Sequence, residues 1–160
     1  MFKEIKRKKS AWNDQEQMEN LLQSTLYGYL SVGTTDNGYT YGVPISYAYD
    51  KKTNRLYFHG ATEGQKIEML EQGKKLTFCV VGATKVLSEK FTTAYESVIV
   101  FGSVDLLFSE EDKRKEMLAI INKYSPEHKA IGENILDRSL DKIAAYAIKI
   151  EHLTGKAIRE

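Results

Sequence analysis

The sequence is short of the residues that build several common kinds of site. Its 160 residues include one cysteine, two prolines, one tryptophan and three histidines. The single cysteine, Cys79, excludes an intrachain disulfide framework. The histidines, His59, His128 and His152, lack the spacing of metal ligands, so no metal site is expected. No nucleophile–base pair, paired-carboxylate motif or phosphate-binding loop is visible. Any catalysis is therefore expected to belong to a cofactor.

The sequence also lacks an excess of charge and a long apolar run. It carries 23 basic and 22 acidic side chains, which gives no general attraction to nucleic acid or to an anionic membrane. No segment approaches the length of apolar sequence that crosses a bilayer. Residues 1–12 form a basic N-terminal arm that no apolar stretch follows, so they make a poor signal peptide. We expect a single cytoplasmic domain over residues 13–160.

The hydrophobic pattern predicts a run of strands interrupted by few helices. Asp36-Asn-Gly38 is a strong hairpin signal, and Pro44 predicts an edge or a bulge in the strand after it. Gly102 marks a bend in the longest strand or a close approach of backbone to ligand. Residues 83–91 fit either a loop or a short strand. The strands are predicted at 29–34, 41–49, 55–59, 76–81, 97–108 and 144–150. Four helices are predicted: one that begins after Asn13–Asp14, one at 63–72, one that begins after Ser109 and one at 133–143. Residues 153–156 are predicted to begin a C-terminal tail.

This order of elements predicts the fold class. Strands and helices do not alternate regularly, which argues against a doubly wound parallel sheet. Antiparallel strands joined by tight turns close most economically as a barrel, because closure removes the sheet edges. The predicted fold is therefore mainly β, an antiparallel barrel of six or seven strands with flanking helices.

Residues 57–66 predict a strand, a turn and the start of a helix. Thr62 and Gln65 have the spacing of a capping box, which would open the helix at Thr62. Free backbone N–H groups at a helix N-terminus, with Lys66 beside them, favour a phosphate. From this pattern alone two ordinary alternatives stay open. His59 could be a strand-end histidine bound to a carbonyl, and Lys66 a solvated helix lysine.

Six short blocks, in this order, resemble the pyridoxamine-phosphate-oxidase-like FMN-binding split barrels. Within that group the chain looks most like the nitroimidazole-reductase (nitroimidazole-resistance) subfamily. The resemblance covers about residues 26–156. It rests on Val43-Pro-Ile-Ser-Tyr47, Tyr57-Phe-His-Gly-Ala61, Gly64-Gln-Lys66, Tyr95-Glu-Ser-Val98, Phe101-Gly102 and Leu153-Thr-Gly-Lys156.

The resemblance implies a homodimer with FMN in a groove between the two subunits. It implies that Lys66 pairs with the phosphate and that Ser97 approaches the cofactor from a later strand. It also implies two cofactor-lining stretches: Pro44, Ile45 and Ser46 at the ring, and Phe58, His59, Gly60 and Ala61 under the ring and ribityl chain. Gln65 departs from the family pattern, which often has arginine there, so one positive charge is missing.

The expected function is that of an FMN-dependent oxidoreductase acting on a small aromatic or nitro-bearing acceptor. The catalytic residues stay unassigned, with His59 as a candidate. Two alternatives keep the fold: a flavin- or haem-binding module without catalysis, and a dimeric barrel without a cofactor. Oxidation of pyridoxamine phosphate is disfavoured, because the sequence shows no basic residues for a second phosphate-bearing ligand.

Overall fold

One antiparallel sheet contains all the strands of the described residues, in the order β3-β2-β6-β7-β8-β5-β4, with β1 added against β8. The computed structural model describes residues 1–34 and 36–159. The strands are β1 (Ala11–Trp12), β2 (Tyr27–Thr34), β3 (Thr40–Ser46), β4 (Ala48–Asp50), β5 (Arg55–Gly60), β6 (Lys75–Leu87), β7 (Thr92–Leu107) and β8 (Ala144–Ile158). The α-helices are α1 (Gln15–Ser24), α2 (Gln65–Met69), α3 (Glu110–Tyr124) and α4 (Lys129–Ser139).

The two edges of this sheet belong to one continuous stretch of chain, residues 40–50, which we call the closing segment. Its first part, β3, pairs with β2, and its last part, β4, pairs with β5 at the other end of the strand order. The segment changes partner at Tyr47, so the sheet closes on itself through the backbone. The predicted barrel with flanking helices is confirmed, and the prediction of Pro44 in an edge strand is confirmed as well.

The interior of the barrel is filled by side chains that alternate along the strands. In β2 the buried positions are Gly28, Leu30 and Val32, and the exposed ones lie between them. Phe58 and Phe78 are fully buried in the same cluster. Each such side chain stabilises the fold by about 1.5–3 kcal/mol through removal from water. The core therefore occupies one face of the sheet, where Met18 and Leu22 of α1 join it, while α3 packs on the other face.

The partner change at Tyr47 leaves backbone groups that no strand satisfies, and α3 supplies the replacement. The Tyr47 N–H donates to the Tyr124 hydroxyl at 3.0 Å. The same hydroxyl donates to the carbonyl of Leu26, the residue that would pair next with Tyr47 along the β2–β3 ladder. The Tyr47 hydroxyl donates to Leu22 O at 2.6 Å, which satisfies a carbonyl at the end of α1. Tyr124 thus takes the place of a ladder rung where the two strands separate.

Several element boundaries differ from the sequence prediction. The strand predicted over 41–49 is two strands, and the stretch 83–91 is mostly the extension of β6 followed by a turn at Ser88–Lys90. The predicted tail after residue 152 is the second half of β8. The predicted helix over 63–72 shortens to Gln65–Met69, and the one over 133–143 moves to Lys129–Ser139. The strands are longer because ladder partners extend them beyond their own apolar runs.

Gly102 marks a close approach within the sheet. The register between β7 and β8 shifts between Phe101 and Gly102. A Cβ on Gly102 would lie 2.4 Å from Lys149 O, which is a backbone atom that has little room to move. The sequence predicted either a bend in the strand or a close approach of the backbone to a ligand at Gly102. The register shift corresponds to the first of these two roles.

No helix among residues 1–34 and 36–159 is long and apolar enough to cross a membrane.

Candidate functional site

The end of β5 gathers four of the residues predicted to form a site. Phe58 points into the barrel, where it is fully buried and stacks on Tyr146 with ring centroids 5.1 Å apart. His59, the next residue, therefore points outward, toward α3. Gly60 is the last residue of the strand, and Ala61 follows it in an exposed position. Phe58 is therefore closed to a ligand in this structure, whereas His59, Gly60 and Ala61 border the surface.

Lys66 folds back over Gly60. A Cβ placed on Gly60 would lie 3.1 Å from Lys66 Nζ and 3.3 Å from its Cε, so the lysine stem occupies the space that a side chain would need. Burial lowers the pKa of Lys66. No acidic side chain of the described residues forms an ion pair with it. The ammonium is thus partly desolvated and available to an anion.

The predicted helix start at Thr62 is wrong. α2 begins at Gln65, with Gly64 at its N-cap in a positive-φ conformation (φ 125°) and no side-chain cap hydrogen bond. The Gln65 side chain, on which the predicted capping box depends, lies outside the described part of the structure. A five-residue helix supports little macrodipole. The positive charge at this site therefore comes from the Lys66 ammonium rather than from a helix terminus.

The closing segment carries a second group of predicted residues. Pro44 and Ser46 are exposed on the outer face of β3, and Ile45 packs against the core. The β4–β5 ladder ends at the pair Ala48–Tyr57, because the chain before Tyr47 pairs with β2 instead. We call the two stretches that continue from this end of the ladder, Pro44–Ser46 and His59–Ala61, the seam.

Ser97 does not join the others in one copy of the chain. It pairs with Val81 and Lys156, near the end of β8, whereas Gly60 pairs with Ala144 at the start of β8. The two β8 positions are 12 residues apart, which corresponds to roughly 40 Å along the strand. Ser97 therefore lies beside the last residues of β8, whereas Lys66, which covers Gly60, lies near the first residues of β8.

Ser97 is instead next to an exposed apolar area on the outside of the sheet, which we call the outer patch. Tyr27 and Tyr29 on β2, Val81 on β6 and Ile99 on β7 form it, and they are 52%, 45%, 39% and 36% exposed. The rings of Tyr27 and Tyr29 meet edge to face, with centroids 5.8 Å apart. Such contiguous apolar area on an outer face usually marks an interaction surface.

A cavity of about 310 Å³ adjoins the other side of the β5 end. Its lining is mostly apolar, with Ile67 of α2, Tyr146 of β8 and Leu106 of β7, and it reaches Thr62 and Lys113 at its rim. It is large enough for a small organic molecule and lies against the segment that leads to Lys66.

The sequence reasoning missed Glu116 on α3. Its side chain is fully buried, and neither carboxylate oxygen has a hydrogen-bond partner among the described residues. One oxygen, Oε1, lies 3.8 Å from Nδ1 of His59, which is also buried and unpartnered. Burial raises the pKa of Glu116 to about 8. The only sequence signal was an acid in the middle of a helix, and that position is usually solvated.

Comparison with known proteins gives one family and a group of similar folds. The family model for pyridoxamine 5'-phosphate oxidase matches residues 14–157. No curated protein matches the sequence significantly. Three similar solved structures show the fold. The flavocytochrome Anf3 from Azotobacter vinelandii has a TM-score of 0.82 and 18% identity, covering 98% of this chain and 73% of that one.

The FAD and heme binding protein from Mycobacterium smegmatis has a TM-score of 0.79 and 19% identity, over 94% of this chain and 74% of that one. A protein from Bacteroides thetaiotaomicron, assigned to 5-nitroimidazole antibiotic resistance, has a TM-score of 0.73 and 20% identity. In that case the match covers 91% of this chain and 85% of the other.

Proposed function

The chain belongs to the pyridoxamine 5'-phosphate oxidase family, and on that basis we propose that it is an FMN-dependent oxidoreductase. Its proposed acceptor is a small aromatic or nitro-bearing molecule, as the resemblance to the nitroimidazole-reductase subfamily implies. The observation that carries the proposal is the Lys66 ammonium, partly buried over Gly60 and free of an acidic partner among the described residues. A monoanionic or dianionic phosphate suits that position.

The residues of the seam suit a ligand longer than a phosphate. Besides the half-buried Gly60 and the exposed Ala61, the seam has Ser46 and Pro44, which present a short hydroxyl and a flat apolar ring on the outer face of β3. In the proposed arrangement Lys66 holds the phosphate, the ribityl chain runs along the backbone at Ala61, and β3 supports the planar ring. A bound flavin would take two electrons from a nicotinamide donor and pass them to the acceptor.

The distance between Ser97 and Lys66 supports a role for a second copy of the chain. If Ser97 contacts the same flavin, it must come from another subunit, because it lies at the far end of β8 from Lys66. The outer patch beside Ser97 offers the apolar surface for that contact. A homodimer packed through the outer patches is therefore proposed. Light scattering on the purified protein should give twice the chain mass of 18.2 kDa.

Binding of FMN tests the proposal directly. We expect the purified protein to retain FMN after desalting, with a shifted flavin absorbance spectrum. Lys66→Ala should weaken FMN binding about 10- to 100-fold, since a hydrogen bond to a charged group contributes about 1.5–3 kcal/mol. Lys129→Ala, at an exposed position on α4, is the matched control and should leave the affinity unchanged. Unchanged affinity in Lys66→Ala would remove the phosphate role of Lys66, and no FMN binding at all would refute the proposal.

A second candidate function keeps the binding and drops the catalysis. Two of the similar structures are named as haem- or cytochrome-containing flavoproteins, so a binding module of this fold, for flavin or haem, is the alternative. Turnover separates the two functions. Oxidation of a nicotinamide donor coupled to reduction of a nitroaromatic supports the enzyme, whereas tight FMN binding without turnover supports the module.

A further inference from the structure

Glu116 and His59 face each other between α3 and β5. The Glu116 carboxylate is fully buried, and the His59 side chain is 38% exposed although its Nδ1 is buried. The gap of 3.8 Å between Oε1 and Nδ1 exceeds hydrogen-bond length, and a shift of about 1 Å closes it. Buried polar atoms in native proteins almost always have partners. Each of these two groups is the nearest candidate to satisfy the other.

The surroundings favour the neutral forms of both groups. Desolvation raises the pKa of Glu116, and desolvation followed by the nearby Lys66 charge lowers the pKa of His59. Of the other charged groups of α3, Lys113 lines the cavity near Thr62, and two more are engaged elsewhere. Lys115 pairs with Asp50 on β4, and Arg114 pairs with Asp137 on α4. The distance alone would allow an ion pair, but the lack of any further hydrogen bond to the carboxylate argues against charge separation here.

We propose that the protonated Glu116 carboxyl donates to His59 Nδ1 and so holds the imidazole with its Nε2–H at the seam, beside Lys66, as a proton donor. Glu116 is a positioning residue, because it acts through His59 and does not itself reach the surface. The delivery of this proton to a bound acceptor rests on the proposed oxidoreductase function, since two-electron reduction of an organic acceptor also consumes protons.

The proton balance of such a step is simple. His59 gives the Nε2 proton to the acceptor, and the carboxyl proton of Glu116 moves to Nδ1. The histidine stays neutral, Glu116 becomes a carboxylate, and one proton from solvent restores the pair. The net transfer is one proton from solvent to acceptor. The pKa of Glu116, about 8, keeps its ionised form accessible near neutral pH.

NMR of the histidine ring nitrogens tests the pair on the full chain. The chain has three histidines, so the His59 signals are assigned by their loss in His59→Gln. At pH 7 we expect the wild-type His59 to be the Nε2–H tautomer. Its ring shifts should show a second inflection near pH 8, where Glu116 loses its proton. A merely structural carboxyl would produce neither the fixed tautomer nor that inflection.

Two variants separate hydrogen bonding from proton exchange. Glu116→Gln keeps a donor for Nδ1, so it should keep the tautomer and lose the inflection near pH 8. Glu116→Leu should lose both. With nitroaromatic turnover as a further readout, Glu116→Leu should lower kcat about 100-fold at unchanged FMN affinity, as loss of general-acid assistance does.

The outcomes distinguish this inference from the proposed function. A wild-type His59 without the inflection, or an inflection that persists in Glu116→Gln, overturns the pair. A fixed tautomer with the inflection, in a protein that has no flavin turnover, supports the pair and refutes the oxidoreductase. Turnover that is equal in the wild type and Glu116→Leu refutes the use of the pair as a proton donor.

Discussion

Replacing Glu116 by glutamine should stabilise the protein at neutral pH and leave its stability unchanged in acid. Protonated glutamic acid and glutamine have nearly the same shape, so the substitution removes the ionisable proton and little else. In the folded protein burial raises the pKa of Glu116 to about 8, from an ordinary value of 4.5. Between these two pH values the folded protein binds one proton more than the unfolded chain. The free energy of unfolding of the wild type therefore falls as pH rises.

The magnitude follows from the width of that pH window. Each pH unit between 4.5 and 8 removes about 1.4 kcal/mol from the free energy of unfolding. The free energy of unfolding of the wild type is close to its full value at pH 4.5. It is lower by about 3 kcal/mol at pH 7 and by roughly 5 kcal/mol above pH 8. Glu116→Gln has no such dependence. The variant should match the wild type at pH 4.5 and exceed it by about 3 kcal/mol at pH 7.

Urea unfolding at a series of pH values measures this difference. The chain has one tryptophan, Trp12, and it is buried, so its fluorescence reports unfolding. Protein concentration must be fixed across the series, because association changes apparent stability. Glu127→Gln, the same change at an exposed position, should show no pH-dependent gain. A stability difference between the wild type and Glu116→Gln that is the same at pH 4.5 and pH 7 would refute the buried-acid reasoning.

Two further predictions concern the barrel itself and use the same unfolding assay. Gly102→Ala should destabilise the protein by about 1–3 kcal/mol, because its Cβ would press on a backbone oxygen. The control Gly33→Ala, with open space around it, should change the stability little. Equal effects of the two substitutions would contradict the close approach at Gly102. Tyr124→Phe should cost about 1–3 kcal/mol by removing the acceptor of a buried backbone N–H. Tyr41→Phe, whose hydroxyl has no hydrogen-bond partner among the described residues, serves as its control, and a neutral Tyr124→Phe would show that water replaces the hydroxyl.

The fold was predictable because its signals are local and repeated. The turn at Asp36–Gly38, the alternation in β2 and the proline in an edge strand each indicate antiparallel pairing. Boundaries were less predictable where ladder partners decide them. The sequence of the second half of β8 predicts a tail, but its backbone pairs with β7, so this stretch is a strand. The helix predicted to begin at Thr62 begins at Gln65, after Gly64 in a positive-φ conformation.

The candidate site was predictable only in part, and for a physical reason. The residues from His59 to Lys66 are neighbours in sequence, so a short motif brings them to notice. Glu116 meets His59 only through the packing of α3 on β5, and no spacing in the sequence encodes that contact. The position of Ser97, far along β8 from Lys66, likewise follows from the register of two long strands rather than from any local pattern.

The closing segment has a consequence for how the barrel assembles. Ala48 and Tyr57, which pair at the seam side, are nine residues apart in the chain, while Arg55 and Lys149, which pair inside the sheet, are 94 apart. Loop-closure entropy grows with the logarithm of that separation, so the inner ladder carries about 2 kcal/mol more of it. The ladder next to the seam is thus formed by local contacts, as are the β2–β3 and β6–β7 hairpins at their turns. The kinetically demanding step is the arrival of β8 between β5 and β7, which completes the sheet from its middle.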